Sequence, residues 1–419
     1  MCLLTCRHRL SNFLILFFLI DLSGALAWAQ APHNLILFIP DGLRPESVNV
    51  SSTPTFARVR DQGVRFADSH SVFPTLTIVN SAAMGTGHFP GDTGNYGNTI
   101  YTGFPVASAN GSVAPMVESD AILGEINAHF GGNYLNEETL LAAARNAGFL
   151  TAAVGKVGPA AIYDVTERSG AQTIVIDDLT GRPGGLLLSN STLDALQAAM
   201  LPNQTPVRGD NSNVGDAKTP GTHAANVAQQ RYFADVTTKS LLPMFKAARK
   251  PFVLVFWSRD PDGTQHNQGD SLNQLVPGIN GPTSQAAVKN ADDNLAAILD
   301  TLKALGLDAT TDVIVSADHG FSTISKTAKL ARHRKSITKM FRPASCHRGL
   351  SPSTSRKRSI CASSILTRSL RRSSSPPASI RAKRTVSSAL IQFHPTSWSP
   401  PMVERIWFIY PRRMPKNWS

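Results

Sequence analysis

Three apolar stretches of the 419-residue chain end in acidic or histidine-bearing turns. The first closes on Ile39-Pro40-Asp41-Gly42, the second runs into Trp257 to His266 (WSRDPDGTQH), and the third into Val315 to Gly320 (VSADHG). Asp262 with His266, and Asp318 with His319, make two Asp/His pairs, and Asp41 adds a third carboxylate. Hard oxygen and imidazole donors without thiolate suit Zn²⁺, Mn²⁺ or Fe, and one pair per metal suggests two ions. Two ions could clamp the attacking and leaving oxygens of a phosphoryl displacement. Taken singly each motif is weak, because Asp41-Gly42 and Asp262-Gly263 also read as plain turns and His319 as a core histidine. A fourth stretch, Phe73 to Gly87 (FPTLTIVNSAAMGTG), places the hydroxyls of Thr75 and Thr77 just past Pro74. The residues after Thr77 are small and apolar enough for a buried helix. Thr77 would then stand where unpaired N–H groups and the helix dipole favour an alkoxide or a bound anion. Alone, it would read as a helix cap.

The elements that must position these residues alternate. Asn34 to Pro40 is an apolar run of strand length, and runs apolar on both faces suit a parallel strand covered by helices on both sides. A helical pattern at Thr53 to Gln62 is closed by Gly63, and Val64 to Ala67 reads as a strand. Residues 88–135 are rich in Gly, Asn, Ser and Pro and read as a long active-site excursion. Further helices are expected at Asn136 to Asn146, with Asn136 as cap, at Thr192 to Met200, at His223 to Ala248 and at Ser284 to Leu305. Strands are expected at Phe149 to Val154, Gln172 to Ile176, Phe252 to Trp257 and Asp312 to Ala317, with a polar excursion over 201–222. This alternation predicts an α/β fold with a doubly wound, mostly parallel sheet, in which ligands gather beyond the carboxyl ends of the strands.

The ends of the chain differ from its body. Arg7 and Arg9 precede the apolar run Phe13 to Ile20, and Ala27-Trp28-Ala29 offers a cleavage site before Gln30. Residues 1–29 therefore read as a signal peptide, so the protein is expected to be exported, periplasmic or secreted, without stable membrane insertion after cleavage. Cys2 and Cys6 lie in that segment and Cys346 and Cys361 near the other end, so the body offers no disulfide and no thiolate site. The formal net charge of +12 is also unevenly spread: residues 327–419 hold 20 of the 41 Lys and Arg and one acid, Glu404. The body to residue 326 has 21 bases against 28 acids, so it is mildly acidic, and no specific nucleic-acid partner is expected. The Arg/Ser/Pro-rich segment 327–419 reads as a disordered basic tail or as a product of a slipped reading frame. The abrupt change of composition favours the second and predicts an irregular chain from about residue 330, with poor activity and solubility.

Phe-Pro-Thr-x-Thr-x-x-Asn at 73–80, with Gly87 and Pro90 following, resembles the nucleophile segment of the nucleotide pyrophosphatase/phosphodiesterase family of the alkaline phosphatase superfamily. The Asp41-Gly42, Asp262-x-x-x-His266 and Asp318-His319-Gly320 motifs fall in the family's order, and the resemblance covers about residues 33–326. It implies an alkaline-phosphatase-like catalytic domain over residues 30–326 that hydrolyses phosphodiester or pyrophosphate bonds of a small-molecule or nucleotide substrate. It also implies a covalent phosphothreonine at Thr77 and two divalent metals, Zn²⁺ or else Mn²⁺. By the same resemblance Asn80 would hold a non-bridging phosphate oxygen. Asp41, Asp318 and His319 would bind one zinc, which also touches Thr77, and Asp262 and His266 the other. Lys156, in the turn after Val154, is a further phosphate contact or a solvated lysine. The family's third ligand on the second zinc is a late histidine, but His333, His347 and His394 are not in a Gly-x-His setting here. The family's Asn-His is Asn80-Ser81 in this chain. A phosphomonoesterase is the alternative within the class, and a non-catalytic remnant the alternative outside it. A sulfatase is disfavoured by the lack of a Cys/Ser-x-Pro-x-Arg pattern at 77–81.

Overall fold

The apolar run at 34–40 forms strand β1 (Asn34–Pro40), buried along nearly all its length. This computed structural model describes residues 33–216, 219–270, 278–323 and a strand at 407–410. After β1, helix α1 (Pro54–Gln62) starts on a proline, whose missing N–H costs nothing there, and stops at Gly63. A two-residue strand β2 (Val64–Arg65) follows. Helix α2 (Thr77–Thr86) ends on Gly87 at φ +76, and the short α3 (Pro90–Thr93) comes next. The excursion then carries helix α4 (Asp120–His129). Alternation resumes with α5 (Leu140–Asn146), β3 (Leu150–Gly155), α6 (Pro159–Ile162) and β4 (Thr173–Asp177). Helix α7 (Asn190–Ala198) is capped by the Ser189 hydroxyl, which accepts from the Thr192 N–H. Helix α8 (Val227–Asp235) passes through a π-helical stretch, Val236–Leu241, into α9 (Leu242–Ala248). Strand β5 (Phe252–Ser258), helices α10 (Asp262–Asn267) and α11 (Pro282–Ala304), and strands β6 (Thr311–Ser316) and β7 (Trp407–Tyr410) complete the described chain.

The strands lie in the order β2-β7-β6-β1-β5-β3-β4. β6, β1, β5, β3 and β4 are parallel, while β7 runs antiparallel to both β6 and β2. The fold is therefore α/β with a mostly parallel sheet flanked by helices, as the alternation predicts. Successive strand side chains point to opposite faces and build two cores. Ile36, Phe38, Leu254 and Phe256 pack on one face with Phe56 of α1, Phe233 of α8 and Leu295 of α11. Leu37, Ile39, Val255 and Trp257 pack on the other with Ile78 and Ala82 of α2, Leu123 of α4 and Leu141 of α5. β5 is buried at every position, which is why its sequence shows no polar alternation.

Four expectations need correction. Asn136 adopts φ +56 in a turn, and α5 begins only at Leu140. The strand expected at 64–67 has two residues, and the helix expected from His223 starts at Val227. The chain beyond residue 330 is not irregular throughout, because β7 forms there and occupies the edge of β6 that would otherwise stay open. The segment 1–29, expected to be a signal peptide, and His333, His347 and His394 lie outside the described residues.

Candidate active site

Four adjacent parallel strands, β6, β1, β5 and β3, end on the same side of the sheet, and each delivers a polar residue there. Asp41 follows β1, Asp262 and His266 lie on α10 after β5, Asp318 and His319 follow β6, and Lys156 follows β3. Thr77 is the first residue of α2, with Leu76 in the capping position. It is thus not the cap; its hydroxyl stands at the helix end, among the unpaired N–H groups. Gly42 makes the convergence possible: its φ is +69, and a Cβ there would come within 3.1 Å of the Asp262 Cβ. Its N–H donates to Asp318 Oδ1 at 3.1 Å, tying the turns after β1 and β6 together.

The side chains meet closely. Thr77 Oγ1 lies 3.2 Å from His319 Nε2 and accepts from Lys156 Nζ at 3.4 Å. Lys156 is buried and also donates to Asp41 Oδ2 at 2.9 Å, with Asp262 at 3.5 Å and Glu118 at 3.7 Å. Burial opposes its charge, but these carboxylates raise its pKa above the usual lysine value. Trp257 Nε1 donates to the same Asp41 oxygen at 2.9 Å. Burial and the neighbouring Asp41 push Asp318 up to about 7. Burial would lower His319, but Asp318, Asp41 and Asp262 outweigh it and raise the imidazole to about 9. Burial likewise opposes the charge on Asp262, yet Lys156, His266 and His319 hold its pKa below the ordinary range. His266 Nε2 sits 3.2 Å from Asp262 Oδ1, and that contact raises its pKa.

An open cavity of about 340 Å³ gives access to this cluster, lined by Thr75, Thr77, Asn98, Asp262, His266 and His319, with Leu76 and Phe321 as apolar walls. Lys156 is thus not a solvated lysine but part of the buried cluster. Asn80, expected to hold a phosphate oxygen, is fully buried on the loop side of α2. Its Oδ1 accepts from the Val72 N–H at 2.9 Å and its Nδ2 donates to the Leu76 carbonyl at 3.0 Å. Asn98 occupies the place at the cavity that Asn80 does not. It comes from the excursion, where no periodicity in the sequence singles it out.

The residues fit a metal. Asp41, Asp262 and His319 each offer a ligand atom, all within 4.8 Å of one another. This grouping joins the two sets expected from the sequence, since Asp262 stands with Asp41 and His319 and not with His266 alone. Oδ1 of Asp41 and Oδ2 of Asp318 are buried and make no hydrogen bond among the described residues. They only approach His319 Nε2, at 3.5 and 3.3 Å. Buried carboxylate oxygens without donors are costly, and a cation relieves that cost. His319 Nδ1 faces the Gly320 carbonyl at 2.7 Å and must donate to it, which leaves Nε2 as the atom directed at the carboxylates and free to ligate a metal once its proton is displaced.

The Thr77 hydroxyl at a helix end thus lies beside a buried Asp/Asp/His group, beyond the carboxyl ends of a mostly parallel sheet in an α/β fold. The sequence profile described as type I phosphodiesterase / nucleotide pyrophosphatase matches residues 35–348, and the chain belongs to that family. Two crystal structures of phosphonoacetate hydrolase from Sinorhizobium meliloti 1021, in complex with phosphonoformate and with phosphonoacetate, are similar to it. Each has a TM-score of 0.43 and 20% sequence identity, covering 70% of this chain and 57% of that one. The chain thus spans a little over half the length of those relatives. No curated protein matches it.

Proposed function

We propose that the protein hydrolyses phosphodiester or pyrophosphate bonds through a covalent phosphothreonine at Thr77. The observation that carries this reading is the placement of Thr77 Oγ1 at the first turn of α2, 3.2 Å from His319 and 3.4 Å from the buried Lys156 ammonium. A free threonine hydroxyl is a weak nucleophile, and a cation and a helix N-terminus both favour its alkoxide. Asp41, Asp262, Asp318, His319 and His266 would hold divalent metal, two ions of Zn²⁺ or Mn²⁺ in our reading. When bound, the metal supplies Lewis-acid stabilisation of phosphoryl oxygens and of the leaving oxygen. The chain's own groups do the rest. Thr77 Oγ1 gives up its proton to solvent and bonds to phosphorus, while the ester oxygen departs with its electron pair and takes up a proton from solvent. Lys156 offsets negative charge on the transferred group, and Asn98 presents an amide to one of its oxygens. Water then attacks phosphorus, the Thr77–phosphorus bond breaks with its electron pair on Oγ1, and a proton of that water restores the threonine hydroxyl.

Residues 1–29 would direct export, and protein recovered from its native source would then begin at Gln30 by mass spectrometry. The hydrolysis reading is tested with bis(p-nitrophenyl) phosphate against p-nitrophenyl phosphate, using the full chain with added Zn²⁺. Faster turnover of the diester, by about tenfold or more in kcat/KM, is the expected result. The opposite preference would make it a phosphomonoesterase.

A further inference from the structure

The excursion between α3 and α4 folds back on itself. The Val117 N–H donates to the Asn98 carbonyl at 2.8 Å, and Thr99 bridges Met116 in antiparallel fashion. Glu118, the next residue, is thereby brought beside Asn98. From the other side it is held by the turn after β3, where Gly158 has φ +87 and a Cβ would come within 2.7 Å of the Glu118 Cα. The Asn98 amide is engaged at both ends. Its Oδ1 accepts from the Ile78 N–H, second residue of α2, at 3.0 Å, and its Nδ2 donates to Glu118 Oε1 at 3.2 Å. A backbone N–H can only donate and a carboxylate can only accept, so these bonds fix which end of the amide is oxygen. An amide nitrogen carries two N–H groups. One goes to Glu118, and the other remains on a side chain that lines the cavity with Thr77.

We propose that Glu118 is a positioning residue, holding the Asn98 amide so that its second N–H meets an oxygen of the anion bound at Thr77. The proposal rests on the hydrolysis reading and adds a residue that touches no substrate. The competing role for Glu118 is that of a counter-ion, since its carboxylate also lies 3.7 Å from Lys156 Nζ. The two roles separate chemically. Glu118→Gln keeps an oxygen that can accept from Asn98 but loses the charge, whereas Glu118→Ala loses both.

With the Zn²⁺-supplemented full chain and bis(p-nitrophenyl) phosphate, Glu118→Gln is expected to keep kcat within about threefold, and Glu118→Ala to lower it by about tenfold or more. Asn98→Ala should lose as much as Glu118→Ala, and the double variant no more than either, because both remove one contact. A Gln variant as impaired as the Ala variant, or additive losses in the double variant, overturns the proposal. If Glu118→Ala does not fold, Glu118→Gln decides alone: near-normal kcat supports the proposal and a tenfold loss overturns it. Orthovanadate binding by calorimetry gives a readout free of turnover. Affinity retained in Glu118→Gln and reduced in Glu118→Ala supports the positioning role even where the diester is not hydrolysed, in which case only the hydrolysis reading falls. Equal vanadate affinity in all three proteins overturns it.

Discussion

Two hydroxyls, Thr75 and Thr77, stand two residues apart and line one cavity, yet their surroundings differ. Thr77 is buried at the helix end beside Lys156 and His319, while Thr75 is exposed on the preceding loop. Thr77→Ala should therefore lower turnover of an aryl phosphodiester by about a thousandfold or more, with metal content unchanged, and Thr75→Ala by no more than a few-fold. Near-normal rates for Thr77→Ala in steady-state assays would falsify the assignment of the nucleophile. The donors make a second prediction. Dialysis against a chelator should abolish activity, and Zn²⁺ or Mn²⁺ should restore it; elemental analysis that finds no bound metal in an active preparation would remove the ions from the mechanism. Asp41, Thr77, Asp262, His266, Asp318 and His319 could be singled out in the sequence because they stand at or just beyond strand and helix ends, which residue patterns mark, and the fold brings them together. Asn80, expected at the anion, instead faces the loop before α2. It lies one turn past Thr77 on the same helix, but the backbone of the preceding loop takes up its amide first. Asn98 and Glu118 left no signal, because only the folding of an aperiodic loop brings Asn98 to the cavity and Glu118 beside it.

The strands were legible as elements because burial on both faces leaves uninterrupted apolar runs, as in β5. Helix α4 was not, since ten residues within a segment rich in glycine and asparagine give too short a period to stand out. Nor was the π-helical stretch Val236–Leu241, whose wider turn has no signature in residue type. What α4 contributes is visible at its first residue. Asp120 is fully buried next to Asp177, the last residue of β4, with which it shares a side-chain hydrogen bond, and the Leu186 backbone and the Arg168 guanidinium also favour its charged form. Burial, and then the Asp120 charge, raise the Asp177 pKa well above its ordinary value. An acid whose pKa is raised on folding contributes stability below its unfolded pKa and loses it as pH rises through the folded value. Asp177→Asn would keep the bond from the Leu179 N–H and give Asp120 a permanent donor. The variant should match the wild type in acid, and its melting temperature should exceed the wild type's by about 2–4 °C at pH 8. A gain that is the same at every pH, followed by calorimetry, would contradict the shared-proton contact.

At the scale of the whole molecule, the composition marked a boundary near residue 326, while the family match continues to residue 348 and β7 returns to the sheet. The sequence hid β7 because four residues within a basic segment carry no period, and their pairing is set by the backbone edges of β6 and β2. Ile409 pairs with Ile314 on one side and Val64 on the other. Ile409→Pro would remove a donor from that position, and the opened edge should promote self-association, seen as an increase in light scattering on concentration. Unchanged scattering would show that β7 does not protect the edge. The parallel order of the sheet also has a temporal side. Among the described strands β1 is made first, but its two neighbours, β5 and β6, come late, and the bond from Gly42 to Asp318 spans 276 residues. At synthesis rates of about 5–20 residues per second, the Asp41 turn waits about 14–55 s on the ribosome for its partner turn to be synthesised. Until β5 is made, that apolar central strand has no lateral partner, so the nascent chain should depend on chaperones, and the cluster of Asp41, Asp262, Asp318 and His319 should be among the last features to form.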